Sequence, residues 1–189
     1  MKKKVLVLAL LAILSAICAS GTFAYFIADY NTHNIITSGG VGVEIILKEL
    51  DTNGNEIDVE STKINNVMPG MPESRILRIK NPESNPVWVR VKVSYTITGE
   101  SGQELPNTFN DELLVYNDIN SKWVLKDDGY YYYTEPVEGN KQSEALFNEV
   151  KFHGDMSNDY SKCKVEMNIY AQGVQSQNNG DTVFEASGW

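Results

Sequence analysis

The chain has little cysteine and little histidine, with two of each among its 189 residues. Two cysteines cannot build the dense disulfide framework of a small secreted scaffold. The two histidines, His33 and His153, lie far apart, so the H-E-x-x-H pattern of zinc peptidases is absent. So few cysteines and histidines also exclude almost every zinc site that needs several such ligands. The sequence therefore predicts no metal site.

Catalytic motifs are absent as well. The sequence contains no G-x-S-x-G nucleophile elbow and no glycine-rich phosphate loop. Paired acids such as Asp127 and Asp128 stand in predicted loops, where carboxylates usually form solvated surface. We therefore expect no enzymatic activity.

Basic residues are in deficit, with 16 Lys and Arg against 25 Asp and Glu and a net charge of −9. A chain this acidic repels phosphate backbones, so we expect no nucleic-acid binding.

The long apolar run of the chain is confined to its N-terminus. Residues 5–18 carry no charge and follow three lysines at positions 2–4. A basic stretch followed by a short apolar run is typical of a secretory signal peptide. The run is shorter than the about 20 apolar residues that a membrane-spanning helix needs. We therefore predict that residues 1–24 are a signal peptide, and that the chain contacts the membrane only transiently during export.

Signal peptidases require small side chains at the third and first positions before the cleaved bond, and Thr22 and Ala24 satisfy both. We predict cleavage between Ala24 and Tyr25, which leaves Cys163 as the sole cysteine of the secreted chain. Lysines on either side of Cys163 could lower the pKa of its thiol and make it reactive. The alternative is that Cys163 is a small apolar residue at the start of a strand.

Alternation of apolar and polar residues dominates the rest of the chain, which is typical of half-buried strands. The clearest example, 87–97, places these residues on one face: Val87, Val89, Val91, Val93, Tyr95 and Ile97. Further strands are predicted at 41–50, 74–80 and 164–174, and shorter ones at 64–67, 113–116, 122–125 and 130–134. Only residues 142–150 have helical spacing. The pattern predicts an all-β domain over 41–189: a two-sheet β-sandwich, jelly-roll-like, with at most one or two short helices.

The segment around Asp51, Asn53 and Gly54 has the residues of a hairpin turn. Asp51, Asn53 and Asn55 also alternate like the oxygen ligands of a calcium loop, but Glu56 stands where that loop needs glycine. A turn explains these residues better. We predict no cofactor, although weak calcium binding by loop carboxylates stays open.

Four consecutive tyrosines, Tyr130, Tyr131, Tyr132 and Tyr133, form the oddest local feature. On a strand, two of them would face the core and two the solvent. Because tyrosine combines apolar area with a hydroxyl group, the exposed pair could form an interaction surface. An edge strand whose aromatic side chains fill the sandwich is an equal alternative.

Residues 25–40 precede the first strand of the domain as a separate extended segment. It is apolar at Phe26, Ile27, Ile35 and Ile36, and a Ser-Gly-Gly sequence ends it. Two outcomes are open. The segment either pairs with its own domain as an edge strand, or it completes the sheet of a neighbouring copy. In the second case every copy is both donor and acceptor, so a filament forms.

Four short motifs resemble a known family: G-T-F-A-Y-F at 21–26, G-G-V at 39–41, M-P-G at 68–70 before a strand that ends at Asn81, and I-Y-A-Q-G-V-Q at 169–175. They resemble the TasA/camelysin family, exported proteins of Gram-positive bacteria. In that family a dedicated signal peptidase, SipW, cuts after the alanine of G-T-x-A. The resemblance covers both ends and the middle of the chain, whereas 98–160 shares only its β character.

The resemblance implies a secreted jelly-roll protein of the biofilm matrix or cell surface that polymerises into fibres by donating its N-terminal strand. It also implies a SipW-type signal peptidase as a processing partner. Whether a second matrix or assembly protein takes part stays open. The chain is shorter than the fibre-forming members, so it could be a minor subunit. Two alternatives remain: a camelysin-type secreted metallopeptidase, against which the missing zinc pattern argues, and a monomeric accessory surface-binding module.

Overall fold

The structure, a computed structural model, describes residues 28–31, 34–35, 41–59, 62–65, 67–68, 70–106, 114–117, 119–154 and 158–189. The predicted signal peptide and its cleavage point at Ala24 and Tyr25 lie outside these residues. So do Phe26, Ile27 and Ile36 of the predicted donor segment.

The described residues form fourteen strands and one turn of 3-10 helix, Asn158–Tyr160, with 45% strand and 2% helix. The strands are β1 (Ala28–Asn31), β2 (Asn34–Ile35), β3 (Glu44–Leu50), β4 (Glu56–Asp58), β5 (Lys63–Ile64), β6 (Pro72–Ser74), β7 (Ile76–Lys80), β8 (Val87–Thr98), β9 (Glu104–Leu105), β10 (Leu114–Asn117), β11 (Trp123–Leu125), β12 (Tyr131–Tyr133), β13 (Glu149–Phe152) and β14 (Lys164–Gln175). The predicted all-β fold is confirmed.

The first layer is a sheet with the strand order β11-β12-β8-β14-β1-β2. Its centre is the antiparallel pair of β8 and β14, which runs over twelve residues from Thr98 opposite Lys164 to Val87 opposite Gln175. β5 pairs with the first residues of β14, and β9 pairs with the end of β8. The alternation predicted for β8 is confirmed, because Val89, Val91 and Ile97 are completely buried.

The second layer combines two three-stranded sheets, β4-β3-β7 and β10-β13-β6. Main-chain hydrogen bonds join them. The amide of Arg75 donates to the carbonyl of Asn148 at 3.1 Å, and Leu77 exchanges bonds with Phe147 and Leu146 at 3.2 and 2.7 Å. The chain before β13 thus lies along the free edge of β7 and continues the pairing that β13 makes with β6.

A single large hydrophobic core lies between these layers. The first layer contributes Val89, Val91, Val165, Met167 and Ile169, and the second contributes Leu77, Ile79, Phe147, Val150 and Phe152, all of them buried. Burial of two sheets face to face, each with polar residues outside, is the arrangement of a β-sandwich. The predicted sandwich-like architecture is confirmed.

The helical prediction for residues 142–150 is wrong, because this stretch contains no helix: it runs irregularly along β7 and enters β13 at Glu149. Ser143 and Leu146 donate their amides to the carbonyls of Ile79 and Leu77, at 2.8 and 2.7 Å. A helix would use those amides internally and leave the edge of β7 unpaired. Leu146 and Phe147 are also buried side by side. Pairing with β7 therefore overrides the local spacing of apolar residues.

Residues 176–189 fold back over the outer face of the first layer. Asn179 holds this stretch together: its amide group donates to the carbonyls of Gln175 and Ser187 at 3.0 Å, and its side-chain oxygen accepts from the amide of Ser187 at 3.0 Å. Val183 is buried there in a second, smaller apolar cluster with Trp88, Tyr132 and Val174. The first layer is thus covered on both faces in this region.

Candidate assembly edge and aromatic cluster

The N-terminal strand lies along the edge of β14. β1 pairs antiparallel with β14, with Ala28 opposite Gly173 and Asn31 opposite Tyr170. β2 then pairs with β1, which places Ile35 opposite Tyr30. Within the single chain, β1 thus pairs with its own domain, and exchange with a neighbouring copy stays a prediction.

Gly173 marks a close approach at this edge. A Cβ atom at this position would lie 2.6 Å from Cγ1 of Val43 and 3.5 Å from Cγ1 of Val41. Both valines are buried and belong to the stretch that leads into β3. Glycine in a strand interior often marks such an approach of another part of the chain. The inner face of β14 is therefore full at Gly173.

A row of polar side chains crosses the outer face of the same sheet. Tyr132, Arg90 and Gln172 stand directly opposite one another on β12, β8 and β14. Arg90 donates from Nε to Oε1 of Gln172 at 2.7 Å and from Nη1 to the hydroxyl of Tyr132 at 2.8 Å. Side chains at opposite positions of adjacent strands share a face. The neighbours of this row along the strands, Val91 and Ala171, belong to the main core, so the row lies on the outer face of the sheet.

The Arg90 side chain is mostly enclosed, with 13% of its surface exposed. Its guanidinium carbon lies 4.2 Å from the ring centre of Tyr130 and 4.7 Å from that of Trp189. Nη1 also lies 3.5 Å from a carboxylate oxygen of Asp128. A guanidinium group packed on aromatic faces and paired with a carboxylate is well placed to rigidify its surroundings.

Asp128 and Tyr132 share a hydrogen bond within this cluster, and the Tyr132 hydroxyl donates to Asp128 Oδ2 at 2.7 Å. Desolvation would raise the pKa of Asp128, but the bonds from Tyr132 and the Tyr130 amide, with the charge of Arg90, outweigh it and lower that pKa. Desolvation and the bond to Asp128 raise the pKa of Tyr132. The pair is therefore a carboxylate and a neutral phenol at neutral pH.

The four tyrosines alternate between the two faces as predicted. Tyr131 and Tyr133 face the main core, where the Tyr133 ring centre lies 4.9 Å from that of Trp123. Tyr130 and Tyr132 belong to the cluster on the outer face.

The expectation that the outer pair faces solvent is wrong for Tyr132, which is 8% exposed. Its ring centre lies 5.9 Å from that of Phe184 and 5.7 Å from that of Trp189. Residues 176–189 therefore cover the outer tyrosine. Phe184, which packs on Tyr132, is itself 45% exposed, so the accessible aromatic ring at this place is that of Phe184.

Cys163 is completely buried immediately before β14. Burial raises the pKa of its thiol, which is the opposite of the acidified thiol considered from the neighbouring lysines. The structure supports the other reading, a small apolar residue at the start of a strand.

The side chain of Asp51 serves the hairpin between β3 and β4. Its Oδ1 accepts the amides of Asn53 and Asn55 at 2.8 Å, and Gly54 adopts a positive φ of 82°. These bonds from Asn55 and Asn53 lower the pKa of Asp51. The predicted turn is confirmed.

Among the described residues, no three His, Cys, Asp or Glu side chains lie close enough together to hold a metal ion.

Comparisons with protein-family models, with curated proteins and with solved structures find no match to this chain. The resemblance to the TasA/camelysin family therefore stays a prediction that rests on the sequence motifs. Within the part of the chain that the structure describes, no helix has the length and apolarity to cross a membrane.

Sequence reasoning missed Arg90, Gln172 and the covering role of residues 176–189. Arg90 and Gln172 are 82 residues apart, so no local pattern connects them. Gly173 did have a signal, since it interrupts an otherwise regular strand pattern.

Proposed function

We propose that the protein is a secreted structural protein that polymerises into fibres of the extracellular biofilm matrix or the cell surface. In this proposal each copy donates its N-terminal segment, residues 25–40, to the sheet of the next copy. The SipW-type signal peptidase would release that segment by cleavage between Ala24 and Tyr25.

The observation that carries the proposal is the position of β1 at the edge of β14. An edge strand presents unpaired amides and carbonyls, and an extended segment of another chain can use them. β1 of a second copy could make the same main-chain bonds that β1 makes within one chain. This exchange of an identical element needs no new type of contact.

The balance between the two arrangements depends on concentration. A strand tethered to its own domain has an effective concentration of about millimolar, and a strand from another copy must exceed it or gain further contacts. Ile35 and its apolar neighbours in the segment can supply these contacts, since burial of one such side chain contributes about 1.5–3 kcal/mol before ordering costs. We therefore expect fibres above a threshold protein concentration.

Electron microscopy of the chain from Tyr25 onward tests the proposal, next to a chain that lacks residues 25–37. We expect fibres from the first and none from the second. The double variant Ile35→Asp/Ile36→Asp should also abolish fibres while circular dichroism shows a folded β-protein. Fibres from the double variant under the same conditions would refute strand donation.

A second candidate is a monomeric accessory surface-binding module. The pairing of β1 with its own domain favours it. Size-exclusion chromatography over a wide concentration range separates the two: a monomer at all concentrations supports the module, and growth with concentration supports the polymer.

A further inference from the structure

We infer that Asn179 is a deamidation site which the folded chain protects, and that its reaction irreversibly releases residues 176–189, here called the cover, from the outer face of the first layer. The inference does not depend on the proposed function. It rests on two neighbouring residues, Asn179 and Gly180. The structure requires both of them, and together they form the dipeptide in which asparagine is chemically least stable.

The cover uses the side-chain amide of Asn179 as donor and acceptor at once. Nδ2 donates to the carbonyls of Gln175 and Ser187, both at 3.0 Å. Oδ1 accepts from the amide and the hydroxyl of Ser187, at 3.0 and 3.2 Å. Asn179 is 5% exposed, so water does not replace these bonds. An aspartate would keep the acceptor bonds but would set an oxygen against two carbonyl oxygens.

The residue after Asn179 has to be glycine. Gly180 has a positive φ of 83°, which residues with a side chain rarely adopt. A Cβ atom there would lie 2.9 Å from Cβ of Glu185 and 3.1 Å from the amide nitrogen of Ala186. The chain reversal that brings the cover back to Asn179 therefore leaves no room for a side chain at position 180.

An asparagine that precedes glycine reacts with its own main chain. The amide nitrogen of Gly180 attacks Cγ of Asn179, a C–N bond forms, and the side-chain nitrogen leaves as ammonia. Water then opens the succinimide ring and leaves aspartate or isoaspartate at position 179, so the reaction needs no oxidant and no cofactor. Glycine favours ring closure because it has no side chain to hinder it.

The closed cover blocks this reaction. The attack requires Cγ of Asn179 to turn toward the main chain, which breaks the bonds to Gln175 and Ser187. Deamidation therefore proceeds from the open cover, and its rate follows the open population. The new carboxylate cannot restore the two donor bonds, so the cover does not close again. Release uncovers the apolar cluster around Trp88 and Tyr132.

The only other Asn-Gly pair of the chain, Asn53 and Gly54, is an internal reference. It lies at the exposed tip of the hairpin between β3 and β4, where a Cβ atom at Gly54 would meet nothing within 4 Å. Reaction there does not require the cover to open. We expect Asn53 to deamidate in the folded protein about tenfold or more faster than Asn179, because local opening at an exposed turn costs little.

Peptide mapping by mass spectrometry measures both sites after incubation of the purified protein in mildly alkaline buffer. Val183→Ala removes the buried anchor of the cover and should raise the rate at Asn179 about tenfold, without changing Asn53. Thr182→Ala, at the exposed neighbouring position, should change neither rate. Cys163 lies completely buried in the main core, so its lack of reaction with a thiol reagent shows that the domain stays folded.

Equal rates at Asn53 and Asn179 in the folded wild type would overturn the inference. So would a rate at Asn179 that does not respond to Val183→Ala.

The release itself is tested by Asn179→Asp, which carries a product of the reaction, with Asn53→Asp as the matched control. Phe184 in the cover is 45% exposed, so cleavage after it by a chymotrypsin-type protease reports opening. We expect this cleavage to be about tenfold faster in Asn179→Asp than in wild type, and unchanged in Asn53→Asp. Equal cleavage rates in the two variants would overturn the inference even where Asn179 deamidates.

Discussion

Arg90 and Gln172 face each other across the two central strands of the first layer, joined by a 2.7 Å hydrogen bond from Nε of Arg90 to Oε1 of Gln172. The bond ties the aromatic cluster on β12 to the β14 edge on which the N-terminal strand lies. Arg90 and Gln172 thus connect the aromatic cluster under residues 176–189 to the proposed acceptor edge, through side chains on one face of the sheet.

Arg90→Ala should lower the free energy of unfolding by about 2 kcal/mol, because Gln172 and Tyr132 lose their charged donor in a mostly buried site. Lys164→Ala is the matched control, since Lys164 is an exposed cation on the same sheet, at the start of β14. We expect a change within about 0.5 kcal/mol there. Urea denaturation measures both, and equal losses would contradict a structural role for the row.

Gly173→Ala should destabilise the protein by about 1–3 kcal/mol, because the new methyl group would lie against Val43. Val43→Ala removes the opposing methyl groups and costs stability by itself through the cavity it leaves. In the double variant the effects should be less than additive, which a double-mutant cycle detects. Strict additivity would mean that Gly173 and Val43 do not constrain each other.

Acid should weaken the cluster through Asp128. Its pKa in the folded protein is lowered from the ordinary value of 3.8, so the unfolded chain binds the proton more readily. The carboxylate therefore stabilises the fold above pH 3.8, and this contribution is lost as the pH falls through the lowered pKa.

The variant Asp128→Asn isolates this effect, because the amide oxygen can still accept the Tyr132 hydroxyl. The difference in unfolding free energy between wild type and variant should shrink as the pH is lowered below 3.8. The other carboxylates with lowered pKa, Asp51 and Glu56, are present in both proteins and cancel in the comparison. A difference that does not change with pH would show that the charge of Asp128 does not stabilise the fold.

The two long central strands came from local pattern, and their pairing did not. Alternation in 87–97 and 164–174 predicts β8 and β14 almost to the residue, because burial of one face imposes period two on the sequence itself. The pairing of β8 with β14 joins parts of the chain about 80 residues apart, and nothing local records it. The same limit explains residues 142–150, whose helical spacing was overridden by an open edge on β7.

The sequence by itself determined the all-β class, the hairpin turn at Gly54 and the alternation of the four tyrosines between two faces, because each depends on neighbours in the chain. Only the tertiary structure decided that residues 176–189 cover Tyr132, that Cys163 is buried and that Val43 fills the space at Gly173. These facts depend on which distant segments meet, and packing of the whole molecule fixes that.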